Sequence, residues 1–124
     1  MIPINNLQAK IYQALKGVGV KVYDEVQEGA TMPLISIGDY ILSSLEFKDN
    51  SFSFNWTINI YTEYEGKKEV NNLLSKALGI LKGLDNTKIN EFYIDSVWLD
   101  NANVFRNEGY YVADINMKFL IMEV

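Results

Sequence analysis

Between Ser51 and Lys82 the apolar residues change their period, and that change constrains the fold more than any other feature of the chain. Phe52, Phe54, Trp56, Ile58 and Ile60 alternate with Ser53, Asn55, Thr57, Asn59 and Tyr61. A period of two predicts a strand with one apolar face and one polar face. After the polar turn Glu63 to Lys68, with Gly66 as breaker, Val70, Leu73, Leu74, Ala77, Leu78 and Leu81 recur every three to four residues. That spacing draws one apolar stripe along a helix. A half-exposed sheet handing over to a covering helix follows.

The flanking segments supply the rest of the layers. Leu7, Ile11 and Leu15 predict a first helix over about 5–17. Asn5 or Asn6 is its expected cap, and Gly17 or Gly19 its stop. Val20 to Tyr23 reads as a short strand. Asp24 to Met32 reads as a polar loop, longer than most connections. Leu34 to Ser43 reads as a strand, opened by Pro33 and interrupted by Gly38, where a bulge is expected. In strict alternation, Tyr40 and Leu42 fall on the side opposite Ile35 and Ile37. Lys48-Asp49-Asn50 is turn chemistry, which predicts an antiparallel hairpin with the Phe52 strand.

Gly83 to Asn86 is expected to stop the second helix. A long strand follows from Phe92 to Phe105. Its alternation fails at Val97-Trp98-Leu99, between Asp95 and Asp100, which predicts a bend or bulge. Arg106-Asn107-Glu108-Gly109 reads as a hairpin turn. Tyr110 to Met122 reads as the last strand, with Tyr111, Ala113, Ile115, Met117, Phe119 and Ile121 on its apolar side. The expected architecture is a single α+β domain over 1–124. It has a mainly antiparallel sheet of four to five strands, in the order α-β-β-β-α-β-β, with two helices packed on one face.

Composition narrows the chemistry. The 124 residues include no Cys and no His, so thiolate, disulfide and imidazole chemistry are excluded. The 48% hydrophobic content suffices for a core without a metal or disulfide staple. The net charge is −5 and the basic residues are scattered, which argues against nucleic-acid binding through phosphates. MIPINNLQAK is not a basic leader followed by an apolar run, and apolar runs are too short for a membrane span, so a soluble cytoplasmic domain is expected.

No pattern marks a catalytic, cofactor or metal site. Gly17-Val18-Gly19 closes a helix instead of opening one, which is the reverse of a phosphate loop. Ser43 or Ser75 with a lysine is formally a catalytic pair, but no Gly-x-Ser-x-Gly elbow is present. Asp95 and Asp100, five apart on one strand, point to opposite faces unless a bulge intervenes. Asp24, Glu25 and Glu28 lack the spacing of a calcium loop and read as a solvated acidic segment. The uncharged Ser, Asn and Thr face of the central strand, with Tyr61, Tyr64, Tyr110 and Tyr111 near its ends, suits a protein contact as well as a wet surface.

The order of these landmarks resembles the small tail completion, or tail terminator, proteins of long-tailed bacteriophages and prophages. The residues that carry the resemblance are Leu15 closing the first helix, Val22-Tyr23-Asp24, Pro33, and Gly38-Asp39. Next come Trp56 to Tyr61 leading into a helix with Ala77-Leu78, then the turn Phe105 to Gly109 and the strand Tyr110 to Ile121. The resemblance covers nearly the whole chain.

It implies a structural protein and not an enzyme, made in the bacterial host cytoplasm and carried in the virion tail. Such proteins form a ring, usually of six copies, on the head-proximal end of the tail tube. The ring stops tube growth and offers a surface for head joining. The implied partners are further copies of the chain, the tail tube protein and head connector proteins, with DNA only passing through the lumen and no membrane. Loop length and composition single out Asp24, Glu25, Glu28 and Met32, and the turn residues Asn107, Glu108 and Tyr110, as expected assembly contacts. The alternatives are a tail tube or connector subunit, and a small enzyme or ligand-binding domain working through carboxylates or lysines.

Overall fold

The computed structural model describes residues 2–45 and 50–124. The helices are α1 (Ile4–Leu15) and α2 (Lys68–Lys82), and the strands are β1 (Lys21–Tyr23), β2 (Leu34–Ser44), β3 (Ser51–Thr62), β4 (Lys88–Ile89), β5 (Phe92–Asn107) and β6 (Tyr110–Glu123). They form one six-stranded sheet in the order β1-β2-β3-β6-β5-β4.

The class is α+β as expected, but the sheet differs from four to five strands in two ways. Lys88–Ile89 adds a strand, pairing with Phe92 and Tyr93. Two residues are too short to show any period, so alternation gave no sign of it. The other difference is that β1 pairs with β2 in parallel, whereas the remaining pairings are antiparallel. The sheet is therefore mixed. The parallel pairing also explains the long 24–33 connection. Chain leaving the top of β1 must return to the bottom of the neighbouring strand, which no tight turn can do.

Both helices lie on the same face of the sheet. Leu7, Ile11 and Leu15 of α1 and Val70, Ala77 and Leu81 of α2 join Phe54, Trp56, Ile58 and Ile60 of β3 in one buried cluster. From β6 come Ala113, Ile115, Met117, Phe119 and Ile121, the predicted odd set. Burying one such aliphatic or aromatic side chain is worth roughly 1.5–3 kcal/mol, so this shared face dominates the stability.

The helix ends depart from expectation. Asn5 and Asn6 lie inside α1, and no side chain caps it; Pro3 occupies the position before the first turn. Proline fits there because the first-turn N–H groups have no intrahelical partner anyway. Lys16–Val18 tightens into a 3-10 turn, and Gly19 ends it at φ 97°. Past α2, Gly83 keeps a right-handed conformation, and Asn86 takes the positive φ of 65°.

Bulges occur where glycine and aspartate interrupt the patterns. In β2 the register shifts between Ile37 and Tyr40, across Gly38-Asp39. Ile35 and Ile37 pair with Ile60 and Ile58, and Tyr40 and Leu42 pair with Trp56 and Phe54. The bulge thus returns Tyr40 and Leu42 to the helix-covered side, correcting strict alternation. In β5 the register shifts between Ile94 and Ser96 and again between Leu99 and Asn101, at Asp95 and Asp100. The predicted irregularity is two bulges. Of the expected Lys48-Asp49-Asn50 turn, Lys48 and Asp49 lie outside the described residues; Asn50 has φ 56°. The β5–β6 turn is Glu108-Gly109, at φ 33° and 88°. Positive φ at both central residues matches the right-handed twist of a two-residue hairpin, and glycine meets that demand without strain.

Candidate assembly surface

The 24–33 connection and the β5–β6 turn, distant in sequence, meet at one end of the sheet. Val26, Ala30, Met32 and Leu34 line a hollow of about 220 Å³ with Tyr61 of β3 and Tyr110 of β6. The two tyrosine rings are tilted, with centroids 6.1 Å apart. Asn107 donates from Nδ2 to the Tyr110 hydroxyl at 3.0 Å. Burial raises the Tyr61 phenol above its ordinary value, and Tyr110 and Asp114 push it the same way.

Of the residues singled out from the sequence, this geometry brings together Met32 and Tyr110, with Asn107 behind Tyr110. Asp24 borders a separate hollow against α1, beside Asn5, Gln8 and Tyr12. Glu25, Glu28 and Glu108 are exposed and form no ion pair among the described residues. Val26, Ala30 and Leu34 were not anticipated as lining residues. They are single apolar side chains in or beside a polar segment, and only the chain's return over Tyr61 makes them neighbours.

The uncovered face of the sheet is a hydrogen-bonded polar surface. Thr57 donates to Asn116 Oδ1 at 3.0 Å, and Asn116 donates in turn to Asn101 Oδ1 at 2.9 Å, linking β3, β6 and β5. Asn59 donates to Asp114 Oδ1 at 3.2 Å. Ser53, Asn55, Thr57 and Asn59 are half-buried between their cross-strand neighbours. Asn55 Oδ1 is buried without a partner among the described residues, and Asp114 and Lys118 add one charge of each sign to the face; the bonds between the other groups tie its strands together.

The catalytic candidates remain scattered. Ser43 and Ser75 are exposed on β2 and α2 and make no side-chain hydrogen bond among the described residues. Asp95 is half-buried and Asp100 exposed, each at its own bulge. Among the described residues no group of three or more acids is placed to hold a metal ion. No described helix is long and apolar enough to cross a membrane.

Exposed large apolar side chains also stand on β2 and β5, the two long strands flanking the β3–β6 pair. Ile41 on β2 is 68% exposed, and Trp98, Leu99 and Phe105 on β5 are 41%, 42% and 44% exposed.

Fold and surface together define an α+β protein with one covered and one polar sheet face, and no assembled catalytic centre among the described residues. That architecture is shared with a chain of the "Virion of native gene transfer agent (GTA) particle". The two superpose with a TM-score of 0.83 over 98% of each chain at 19% sequence identity. No protein-family profile matches the sequence, and neither does any curated protein.

Proposed function

We propose that this chain is a structural virion protein of a tailed phage or phage-like particle, one that caps the head-proximal end of the tail tube as a ring. The observation that carries the reading is the shared fold with a gene transfer agent virion chain over 98% of both chains. The tail-terminator resemblance of the sequence, from Leu15 to Ile121, supplies the narrower role. The chain acts by assembly and not by catalysis.

In this reading the ring has six copies and contacts the tube protein on one side and head connector proteins on the other. Met32, Tyr110 and Asn107 at the Tyr61–Tyr110 hollow, with the exposed acids Asp24, Glu25, Glu28 and Glu108 of the same connection and turn, form the joining surface. The polar face of β3 and β6, with Asp114 and Lys118 as one charge of each sign, lines the lumen. Without clustered cations it does not hold the phosphates of passing DNA.

Light scattering of the purified protein tests the ring: a hexamer mass is expected, and a strict monomer at high concentration counts against it. Replacing the exposed Glu25 and Glu28 with lysine in the phage or particle genome, which keeps the length the parallel β1–β2 connection needs, should leave tails unjoined to heads. Normal joining would remove that loop from the joining surface. In negative stain, a cap on one tail end supports the terminator role, whereas growth of tubes from the protein alone would make it a tube subunit.

A further inference from the structure

The sheet has two open edges, one at each side and at opposite ends. β1 pairs with β2 only over Leu34–Ser36, so no described strand lies against the outer edge of Ile37–Ser44, whose inner edge pairs with β3. On the other side, β4 covers Phe92 and Tyr93. The chain after α2 then takes over. Asn86 N–H donates to the Ile94 carbonyl at 2.6 Å, and Ile94 N–H donates to the Thr87 carbonyl at 2.8 Å. At Val97, Asp85 accepts from the N–H at 2.6 Å and Lys82 donates to the carbonyl at 2.6 Å. Beyond Val97 the outer edge of β5 has no further partner among the described residues.

Exposed edges of this kind are templates for pairing, and proteins that stay apart blunt them with lysine, proline or bulges. Each open edge begins with a bulge, at Gly38-Asp39 and at Asp100, but the runs beyond them, Tyr40–Ser44 and Asn101–Asn107, contain neither lysine nor proline, and Arg106 is their one charged residue. They carry the exposed Ile41 and Phe105 instead.

We infer that these two edges are complementary surfaces, and that the open edge of β2 in one copy pairs antiparallel with the open edge of β5 in the next. The alternation of directions through β2, β3, β6 and β5 makes β2 and β5 antiparallel when copies stand side by side with the same face inward. The short strands β1 and β4 occupy diagonal corners, so a stagger along the strands lets the edges meet without collision.

Facing fixes the register. Leu42 and Tyr40 lie on the helix-covered side and Ile41 and Ser43 on the open side. On β5, Ala102 and Val104 lie on the covered side, and Asn103 and Phe105 on the open side. Only registers that match like faces keep the sheet continuous, since a slip of one residue inverts every side chain. Setting Ile41 opposite Phe105 matches apolar to apolar. It also places Leu42 by Val104, Ser43 by Asn103 and Ser44 by Ala102, and sets Tyr40 opposite Arg106 on the covered side. Such a pairing joins unlike patches, so it closes by rotation into a ring or runs on as a helix. The stagger tilts the strands to the ring axis, as closure of a sheet requires. The inference deepens the ring reading and rests on it only for closure.

The absence of native cysteine makes crosslinking a clean test. The double variants Ile41→Cys/Phe105→Cys and Ser43→Cys/Asn103→Cys should give a ladder of disulfide-linked oligomers on mild oxidation of the purified protein. Ile41→Cys/Ala102→Cys, which sets opposite faces against each other, should give none. Ile41→Lys or Phe105→Lys, at exposed positions, should convert the assembled mass to monomer with an unchanged circular dichroism spectrum. A monomeric wild-type protein, oligomers that survive both lysine substitutions without crosslinking, or dimers from a single-cysteine variant would each overturn the pairing. If the mass stays hexameric while crosslinking fails, the ring stands and this interface falls. Should the ladder form on a protein that caps no tail, the interface stands and the proposed function falls.

Discussion

The indole Nε1 of Trp56 donates to the carbonyl of Gly38 at 3.0 Å, and this bond spans the bulge that re-aims β2. Trp56 is wholly buried and stacks on Tyr40 at 4.5 Å between centroids. The peptide of Gly38 therefore has an indole partner at the point where the strand loses its register. A Cβ on Gly38 would lie 3.2 Å from the Thr57 carbonyl, so the glycine keeps β2 and β3 close there.

Trp56→Phe keeps an aromatic ring against Tyr40 but removes the donor. Leaving the Gly38 carbonyl without its indole partner costs about 1–3 kcal/mol, with a further cost for the lost volume. The melting temperature should fall by several degrees, measured by calorimetry, and a melt like that of the wild type would show the bond contributes nothing.

Asp85 ties the loop after α2 to the edge of β5 through the buried Val97. Asp85→Ala leaves that N–H without an acceptor, at a cost of about 1–3 kcal/mol. The denaturant midpoint should drop with its slope unchanged. Amide exchange at Val97 should quicken more than at Ile115 in the middle of the sheet.

Tyr61 predicts an alkaline effect of definite sign. Its folded-state pKa is raised, chiefly by burial, with Tyr110 and Asp114 adding to it. The folded chain thus holds the phenolic proton more tightly than the unfolded chain does. The stability this contributes is fully present below the unfolded value of about 10 and is lost as pH rises through the raised value. Wild-type stability should fall more steeply above pH ~10 than that of Tyr61→Phe, in urea titrations at stepped pH. Parallel curves for the two proteins would show that Tyr61 is not the group responsible.

Asn116 joins three strands on the open face by accepting from Thr57 and donating to Asn101. Asn116→Ala should cost about 1–2 kcal/mol, taking each bond at roughly 0.5–1.5 kcal/mol and allowing for water replacing part of the loss. Circular dichroism should be unchanged, and a double-mutant cycle with Thr57→Ala should show coupling.

Much of the architecture was legible because it depends on local period. Phe52 to Ile60 had to present one apolar face, and Val70 to Leu81 one apolar stripe, wherever the rest of the chain went. Gly38 and the run Val97-Trp98-Leu99 marked bulges because each breaks alternation in its own segment. The turn at Glu108-Gly109 was marked by turn residues alone.

Nonlocal pairing set the remainder. Lys88–Ile89 is a strand only because Phe92 and Tyr93 turn back beside it, and β1 is parallel to β2 only because the 24–33 segment returns the chain to the same end. The hollow at Tyr61 and Tyr110 joins residues from β3, β6 and that return, and its apolar lining had no signature in a segment read as polar. The amino-acid order determined which faces of each element must be buried, since that follows from side-chain spacing along the backbone. Which edges stay open, and hence where another chain can pair, was decided by the tertiary structure, because backbone hydrogen bonding between strands depends on what lies alongside and not on what comes next.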